Sequence, residues 1–288
     1  MIKKILIYLA LLSSLHADSL KIISYNVLYG FNHGKSIEVA SQWLKEQEAD
    51  FVALQEVKGF SADKFAELAK TWGHDYSYFY NRKPGMPLAF SSRFPITEVE
   101  ELHQGVKRGF LKLKCHGYSF MVVHMTSQRL TAREQELTYM SSQIKDLLKK
   151  DEGLIVLGDF NSFSHLDLDR LSELDDLLKE MRQNPKKKAN LNKGHFDVSI
   201  MSSFDELGLV DLCHEKLFGK EAIKGSFPST LLEKIPNREV QEKHLRRIDF
   251  VLSDQKTAKK LLKADIPKGG ALETISDHYP VIIEITDN

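Results

Sequence analysis

The chain has 288 residues, 42% apolar and 28% charged. That composition excludes an intrinsically disordered chain and leaves room for one large domain with a sizeable core, or two small ones. Lysine plus arginine and aspartate plus glutamate both number 40, so no global field draws the chain to nucleic acid or an anionic membrane, and any affinity for a polyanion must be local.

The first residues read as a separate object. Lys3 and Lys4 precede the apolar stretch ILIYLALL, and small or polar residues follow as far as Ala17. This pattern predicts an export signal over residues 1–17, with the mature chain running from 18 to 288 and residing in the periplasm or outside the cell. The apolar run is shorter than the roughly 20 residues that span a bilayer, so no transmembrane segment is expected in the mature chain. An oxidising destination would let Cys115 and Cys213 form a disulfide if they lie close together, and two buried free thiols are the alternative. There is no CxxC and no zinc-ligand spacing.

Short β-rich runs then alternate with helical stretches. Strands are predicted over 20–26, 51–56, 88–92, 110–115, 119–125, 154–158, 247–253 and 280–286, with the fourth and fifth joined as a hairpin by His116, Gly117 and Tyr118. Helices are predicted over 36–48, 61–72, 131–150 and 166–181. The third carries the clearest pattern: Thr131 and Glu134 suit a capping box, and Leu137, Met140, Ile144, Leu147 and Leu148 form one apolar stripe. FLKLK alternates, whereas LIVLG and FVAL are apolar throughout and should be buried on both faces. Both kinds together point to two sheets packed face to face with helices outside. No composition shift divides the chain. The stretch 183–194 reads as a basic loop, and a second long loop covers 219–245.

Polar residues gather where these strands end. Asn26 ends the first, Gln55 and Glu56 the second, and His124 the fifth. Asp159 and Asn161 follow LIVLG. Asp249 lies in RIDFVLS, and Asp277 and His278 precede the last strand. Singly, each has a plain explanation, such as a turn-starting Asp or a satisfied His. As a set, they are oxygen ligands for a hard divalent cation together with acid–base groups. In extended chain, residues two apart point the same way, so Asp159 and Asn161 should face one spot, with Gly158 allowing a close backbone approach there.

The series SYNVL, LQEV, SSRFPI, VVHM, GDFNS, RIDFVLS and SDHYPV resembles, in order from about Leu20 to Ile285, the endonuclease/exonuclease/phosphatase family. That family includes DNase I, exonuclease III-type enzymes, neutral sphingomyelinases and inositol polyphosphate 5-phosphatases. The resemblance implies a four-layer α/β sandwich of two mainly antiparallel sheets with helices outside. It also implies a magnesium ion, with Mn²⁺ or Ca²⁺ as alternatives, and cleavage of a phosphoester. It makes Glu56 a direct metal ligand, with Asn26 beside it and Asp277 completing the cluster. Asp159 would align the attacking water and Asn161 bind the water or a phosphate oxygen. His278 would contact the scissile phosphate, oriented by Asp249, and either Asp159 or His278 would be the general base. His124 would be a general acid or a phosphate ligand. Arg93 reads first as structural and second as a phosphate contact. Arg129 and Lys83 are candidates for backbone contact, along with Lys35, Arg82 and the lysines at 186–188.

His124 and Leu28 depart from the apurinic-endonuclease branch, which resembles this chain less because it carries a tyrosine and a carboxylate at those places. The Cys-Asp-Arg segment of the inositol 5-phosphatases is missing, and no exposed apolar hairpin of the sphingomyelinase type is legible. Phe227 comes nearest to one and reads better as a buried anchor. The stretch LTAREQEL, with Arg133, is similar to nuclease-like members. The expectation is therefore a monomeric nuclease acting on nucleic acid. A lipid or small-molecule phosphodiesterase on the same metal site is the alternative. A catalytically silent binding module should have lost Glu56, Asp159 or His278, and all three are present.

Overall fold

The computed structural model describes residues 19–83, 85–150 and 152–287. The export signal expected over 1–17 lies outside them. In chain order the strands are β1 (Ser19–Asn26), β2 (Phe51–Gln55), β3 (Tyr76–Tyr80), β4 (Leu88–Ser92), β5 (Ile96–Leu102), β6 (Phe110–Cys115), β7 (Tyr118–His124), β8 (Gly153–Asp159), β9 (Val210–Asp211), β10 (Asp249–Ser253), β11 (Leu261–Asp265) and β12 (Val281–Thr286). They form two six-stranded sheets, ordered β11-β12-β1-β2-β4-β3 and β5-β6-β7-β8-β10-β9. Each sheet is antiparallel except for one parallel pair, β1 with β2 and β7 with β8. The α/β sandwich expected from the sequence is the fold observed.

Period-two alternation divides the two faces of the second sheet between two cores. Leu111, Leu113, Phe120, Val122, Ile155, Leu157 and Val251 of the second sheet point inward, joining Ile22, Phe51, Phe90 and Ile283 of the first in one buried cluster. The alternate residues Met121, Val123, Leu154, Val156, Phe250 and Leu252 point outward, under Met140, Ile144 and Leu147. LIVLG is thus buried on both faces because one face meets the other sheet and the opposite face meets a helix. Fully burying such aliphatic side chains contributes about 1.5–3 kcal/mol each.

The three long helices are α1 (Ile37–Gln47), α2 (Ala62–Thr71) and α3 (Leu130–Leu148). α2 is capped by Ser61, which accepts from Lys64 N at 3.3 Å. α3 keeps its expected apolar stripe but not its expected cap. It starts one residue early, with Arg129 at the cap position and no side-chain capping bond. Its start is tied instead to the basic loop by Leu130 N donating to Ala189 O at 2.9 Å. The helix predicted over 166–181 is broken: Leu168–Ser172 and Asp175–Gln183 are separate helices. Leu174, at the break, fills a small third core with Leu171, Leu177 and Ile248. The basic loop contains the short helix Pro185–Lys188, capped by Asn184. Cys115 and Cys213 are both buried free thiols, so no disulfide forms. No helix among the described residues is long and apolar enough to cross a membrane.

Candidate active site

The strand register brings the polar set to one end of both sheets. His124 pairs with Asp159, and Asp249 pairs with Asp159 from the other side. Asn26 is level with Gln55, so Glu56 emerges beside it. β12 runs antiparallel to β1, which puts Asp277 and His278, just before it, at the same end.

One carboxylate sits at the centre. Asp159 Oδ2 accepts from Asn26 Nδ2 at 3.0 Å and lies 3.4 Å from His124 Nε2 and 3.9 Å from His278 Nε2. Its other oxygen accepts from Asn161 N at 2.8 Å. Asp159 is 1% exposed. Burial and the neighbouring charge of Asp249 hold its carboxyl above the usual carboxylate range.

His278 is fixed by Asp249, whose Oδ2 lies 2.9 Å from Nδ1. The same oxygen accepts from Ser226 Oγ at 2.6 Å. Burial alone would lower the imidazole, but the charge of Asp249, its hydrogen bond, and then Asp159 and Asp277 overcome it and raise His278 to about 10. The ring of Phe227 packs against His278 with centroids 4.6 Å apart, and Arg246 lies over that ring.

His124 is held in the opposite sense. Arg108 Nη1 lies 2.8 Å from its Nδ1 and 2.9 Å from its Nε2. A guanidinium only donates and a neutral imidazole has one acceptor nitrogen, so only one of the two contacts can be a hydrogen bond, and that bond requires the neutral ring. Burial first, then Arg108 and His278, lower its pKa well below the ordinary value. Arg108 is itself positioned from α3: Glu136, 1% exposed, accepts from Arg108 N at 3.1 Å and from Thr126 N at 2.8 Å. Arg133 adds a bond to Thr126 O at 3.1 Å.

Glu56 faces this group from the first sheet, 3.7 Å from His124 Nε2. Its pKa is raised, chiefly by burial, with Asp277 also raising it and His278 and Arg108 lowering it. Its backbone is left-handed, with φ 62°. The loop that meets it is stranger. Seven consecutive residues, Leu28 to Gly34, have φ between 40° and 82°. Only Gly30 and Gly34 take that conformation freely; for the others it costs on the order of 1–2 kcal/mol each. Backbone strain of this kind persists where the surroundings over-determine it. Here Leu28 N donates to Asn26 Oδ1 at 3.2 Å and Tyr29 N to Glu56 Oε2 at 3.3 Å.

The donor set suits a hard cation. Asp159 and Asp249 bring carboxylate oxygens within 4.8 Å of one another and of His278, whose protonated ring is a donor and not a ligand. Asp249 Oδ1 is buried without a hydrogen-bond partner, and Glu56 and Asp277 raise the charge at the same end of the sheets. Oxygen donors with surplus negative charge are what Mg²⁺ or Ca²⁺ requires.

Several expected placements differ. Asn161 has φ 47°, so the chain turns after Asp159 and the two side chains do not share a face. Asn161 meets Asp159 through its backbone N–H, while its amide donates to Met125 O at 3.0 Å. Gly158 serves a neighbouring strand: a Cβ there would stand 2.0 Å from Val123 O. Arg93 follows its structural reading and not the phosphate contact, and is not brought to the cluster. It pairs with Asp50 at 3.5 Å, and Ser92 is level with Phe51, which puts Arg93 at the opposite end of β2 from Glu56. That is about 16 Å of strand. Arg129 and Lys83 are exposed and touch none of the central group. Lys83 lines a groove of about 390 Å³ with Lys58, Asn81 and Arg82, and the backbone bond from Val57 N to Pro87 O runs beside it.

Sequence reasoning missed Arg108, Ser226 and Glu136. Arg108 sits in an unremarkable VKRG turn, and its role exists only because β6 pairs with β7. Ser226 has a signal in hindsight, standing next to the Phe227 that the SFPST stretch had drawn attention to.

The sequence profile of the Endonuclease/Exonuclease/phosphatase family matches residues 23–278. No curated protein matches the chain. Among solved structures it is similar to the 3′ phosphatase NExo from Neisseria bound to a product DNA hairpin, at 19% identity and TM-score 0.71 over 92% of this chain and 99% of that one. An AP endonuclease from Archaeoglobus fulgidus gives 18% and 0.67 over 92% and 98%. The 3′-5′ exonuclease NExo from Neisseria meningitidis gives 20% and 0.68 over 92% and 99%. At these identities the likeness is one of fold, while the profile spans both sheets and every residue of the central group, so the chain belongs to the Endonuclease/Exonuclease/phosphatase family of phosphoester hydrolases.

Proposed function

We propose that the protein is an exported, divalent-cation-dependent nuclease that hydrolyses phosphodiester bonds of nucleic acid as a monomer. The observation that carries this reading is the convergence of two differently charged imidazoles on Asp159 Oδ2. With its raised basicity, Asp159 is suited to orient a water and take its proton. His278, charged at neutral pH, donates through Nε2 to a non-bridging phosphate oxygen and stabilises the negative charge that develops there. This favours Asp159 over His278 as the base. Neutral His124 binds a phosphate oxygen or relays a proton, and Arg108 beside it adds a fixed positive charge. Glu56, Asn26 and Asp277 would hold the cation, which when bound neutralises the phosphate and stabilises the leaving oxygen.

Nucleic acid is favoured as substrate by the Lys58–Arg82–Lys83 groove that starts beside Glu56. The neighbour bound to a product DNA hairpin and the one named an AP endonuclease have the same fold, which supports this reading. Phe227 is no membrane hook, since it packs on His278 under Arg246. The test is a substrate panel with the chain from residue 18: plasmid DNA, single-stranded DNA, RNA, sphingomyelin and an inositol phosphate, each with Mg²⁺, Mn²⁺, Ca²⁺ or EDTA. Metal-dependent nicking that Glu56→Ala abolishes is expected. Silence on nucleic acid with release of a headgroup or phosphate would transfer the same site to the lipid or small-molecule reading. Processing of residues 1–17 is checked separately, by the N-terminal mass of the protein recovered from the cell envelope or medium.

A further inference from the structure

The strained loop at 28–34 does more than touch Glu56. It holds two rings in solvent. Tyr29 and His33 are stacked nearly parallel, with centroids 5.0 Å apart and planes 6° from one another. Lys58 Nζ sits 4.9 Å from the Tyr29 centroid. Tyr29 is 37% exposed, and His33, Lys58 and Lys64 are exposed as well. Neither Lys58 nor Lys64 forms an ion pair among the described residues. The rings line a hollow of about 380 Å³ with Phe60 and Lys64, which shares Lys58, Gly59 and Phe60 with the basic groove. Gly30 locks the arrangement: a Cβ there would stand 2.2 Å from Lys58 O, so the loop is pressed against the Lys58 turn.

Packing does not explain this. Phe31 is fully buried and meets Phe60 edge to face, whereas Tyr29 and His33 hold their parallel stack at an exposed position at the cost of left-handed backbone. A flat π-face with an adjacent unpaired cation is what an unstacked base and its phosphate require. Tyr29 is also one hydrogen bond from Glu56, so whatever stacks there adjoins the reacting phosphoester.

We propose that Tyr29 and His33 form a stacking platform for a nucleobase next to the scissile phosphate, with Lys58 and Lys64 holding the flanking phosphate. The inference rests on the nuclease reading above and deepens it: a base inside a duplex has no free face, so the substrate is a single strand or a locally opened end.

The experiment is a cycle between protein and substrate. A single-stranded oligonucleotide of about 12 nucleotides, long enough to cross one such binding site, carries one abasic residue walked across the cleavage site. For the wild type, one abasic position should lower kcat/KM about tenfold, in the lower part of the range for base stacking. Tyr29→Leu should cleave the intact oligonucleotide about tenfold more slowly, mainly through KM, and show no further loss with the abasic substrate. Tyr29→Phe, which keeps the ring, should show the abasic penalty that Tyr29→Leu lacks. His33→Ala, read in the same cycle, serves if Tyr29→Leu does not fold. An abasic penalty of equal size in wild type and variants would overturn the platform and leave the nuclease reading standing, as would equal rates on single-stranded and duplex forms of one sequence. If the wild type cleaves no nucleic acid with any cation, both readings fall together.

Discussion

His278 and His124 face the same carboxylate oxygen, are about equally buried, and differ in charge, His278 being protonated and His124 neutral at neutral pH. His278 is 6% exposed and His124 2%. Desolvation works against the charged form of both. The partners decide the outcome: Asp249 on one ring outweighs burial, and Arg108 on the other adds to it. The pair therefore supplies one proton donor and one lone pair at neutral pH from a single residue type, with Asp159 between them. Burial sets what a wrong partner costs, and the partner sets the charge.

The comparison is broken most severely by Asp249→Asn. This makes the two histidines alike, both buried and neutral. Turnover of a phosphodiester should fall by about 10² to 10⁴, the range for losing one acid–base group. The His278 ring should titrate far below its position near 10 in NMR. An unchanged rate would remove His278 from the chemistry.

The next effect is on stability in the metal-free protein. The His278 pKa is raised above its unfolded value of about 6.5, so the pair stabilises fully below pH 6.5 and the contribution is lost as pH rises through about 10. Thermal or urea unfolding between those limits should show a decline of at most about 5 kcal/mol, and Asp249→Asn should flatten it. A slope that survives the substitution would mean that another group carries it.

His74 sharpens the contrast away from the site. It is 1% exposed, with ring nitrogens 2.8 Å from Ser91 Oγ and 2.8 Å from Ala49 O, both uncharged. Burial lowers it to about 4. The sign is now reversed: its contribution is present above pH 6.5 and lost as pH falls through about 4. The difference between wild type and His74→Gln in urea unfolding should shrink by about 3 kcal/mol across that window. The smallest effect belongs to Arg108→Gln. It keeps a donor but removes the charge, and should lower kcat by about tenfold, the lower value for a charge-assisted hydrogen bond, while moving the His124 titration upward. A change in KM alone would reduce Arg108 to a substrate contact.

Legibility in the sequence followed position in the sheets. The eight strands predicted are the inner ones: β12, β1, β2 and β4 of one sheet and β6, β7, β8 and β10 of the other. The four missed, β3, β5, β9 and β11, are all edges. Three of them carry charge, as Glu100 of β5 does in pairing with Lys112 at 2.8 Å, and so lack the apolar signal that marks a buried strand, whereas β3 (YSYFY) carries none and was missed despite its aromatic residues. The left-handed loop gave no signal beyond its glycines, because nothing local favours Tyr29 or Phe31 with positive φ.

The sequence by itself determined the inner strands, the apolar stripe of α3, and the polar residues at strand ends, because side-chain periodicity and chain-terminating polar groups are local properties. Tertiary structure alone decided that Asn161 turns aside and that Arg108 and Ser226 join the site. It also decided which histidine is charged. The bonds responsible join residues far apart in the chain, Asn26 to Asp159 across 133 positions and His278 to Asp249 across 29. A pKa depends on the charges and the solvent left around a group after folding, which no local pattern of residues records.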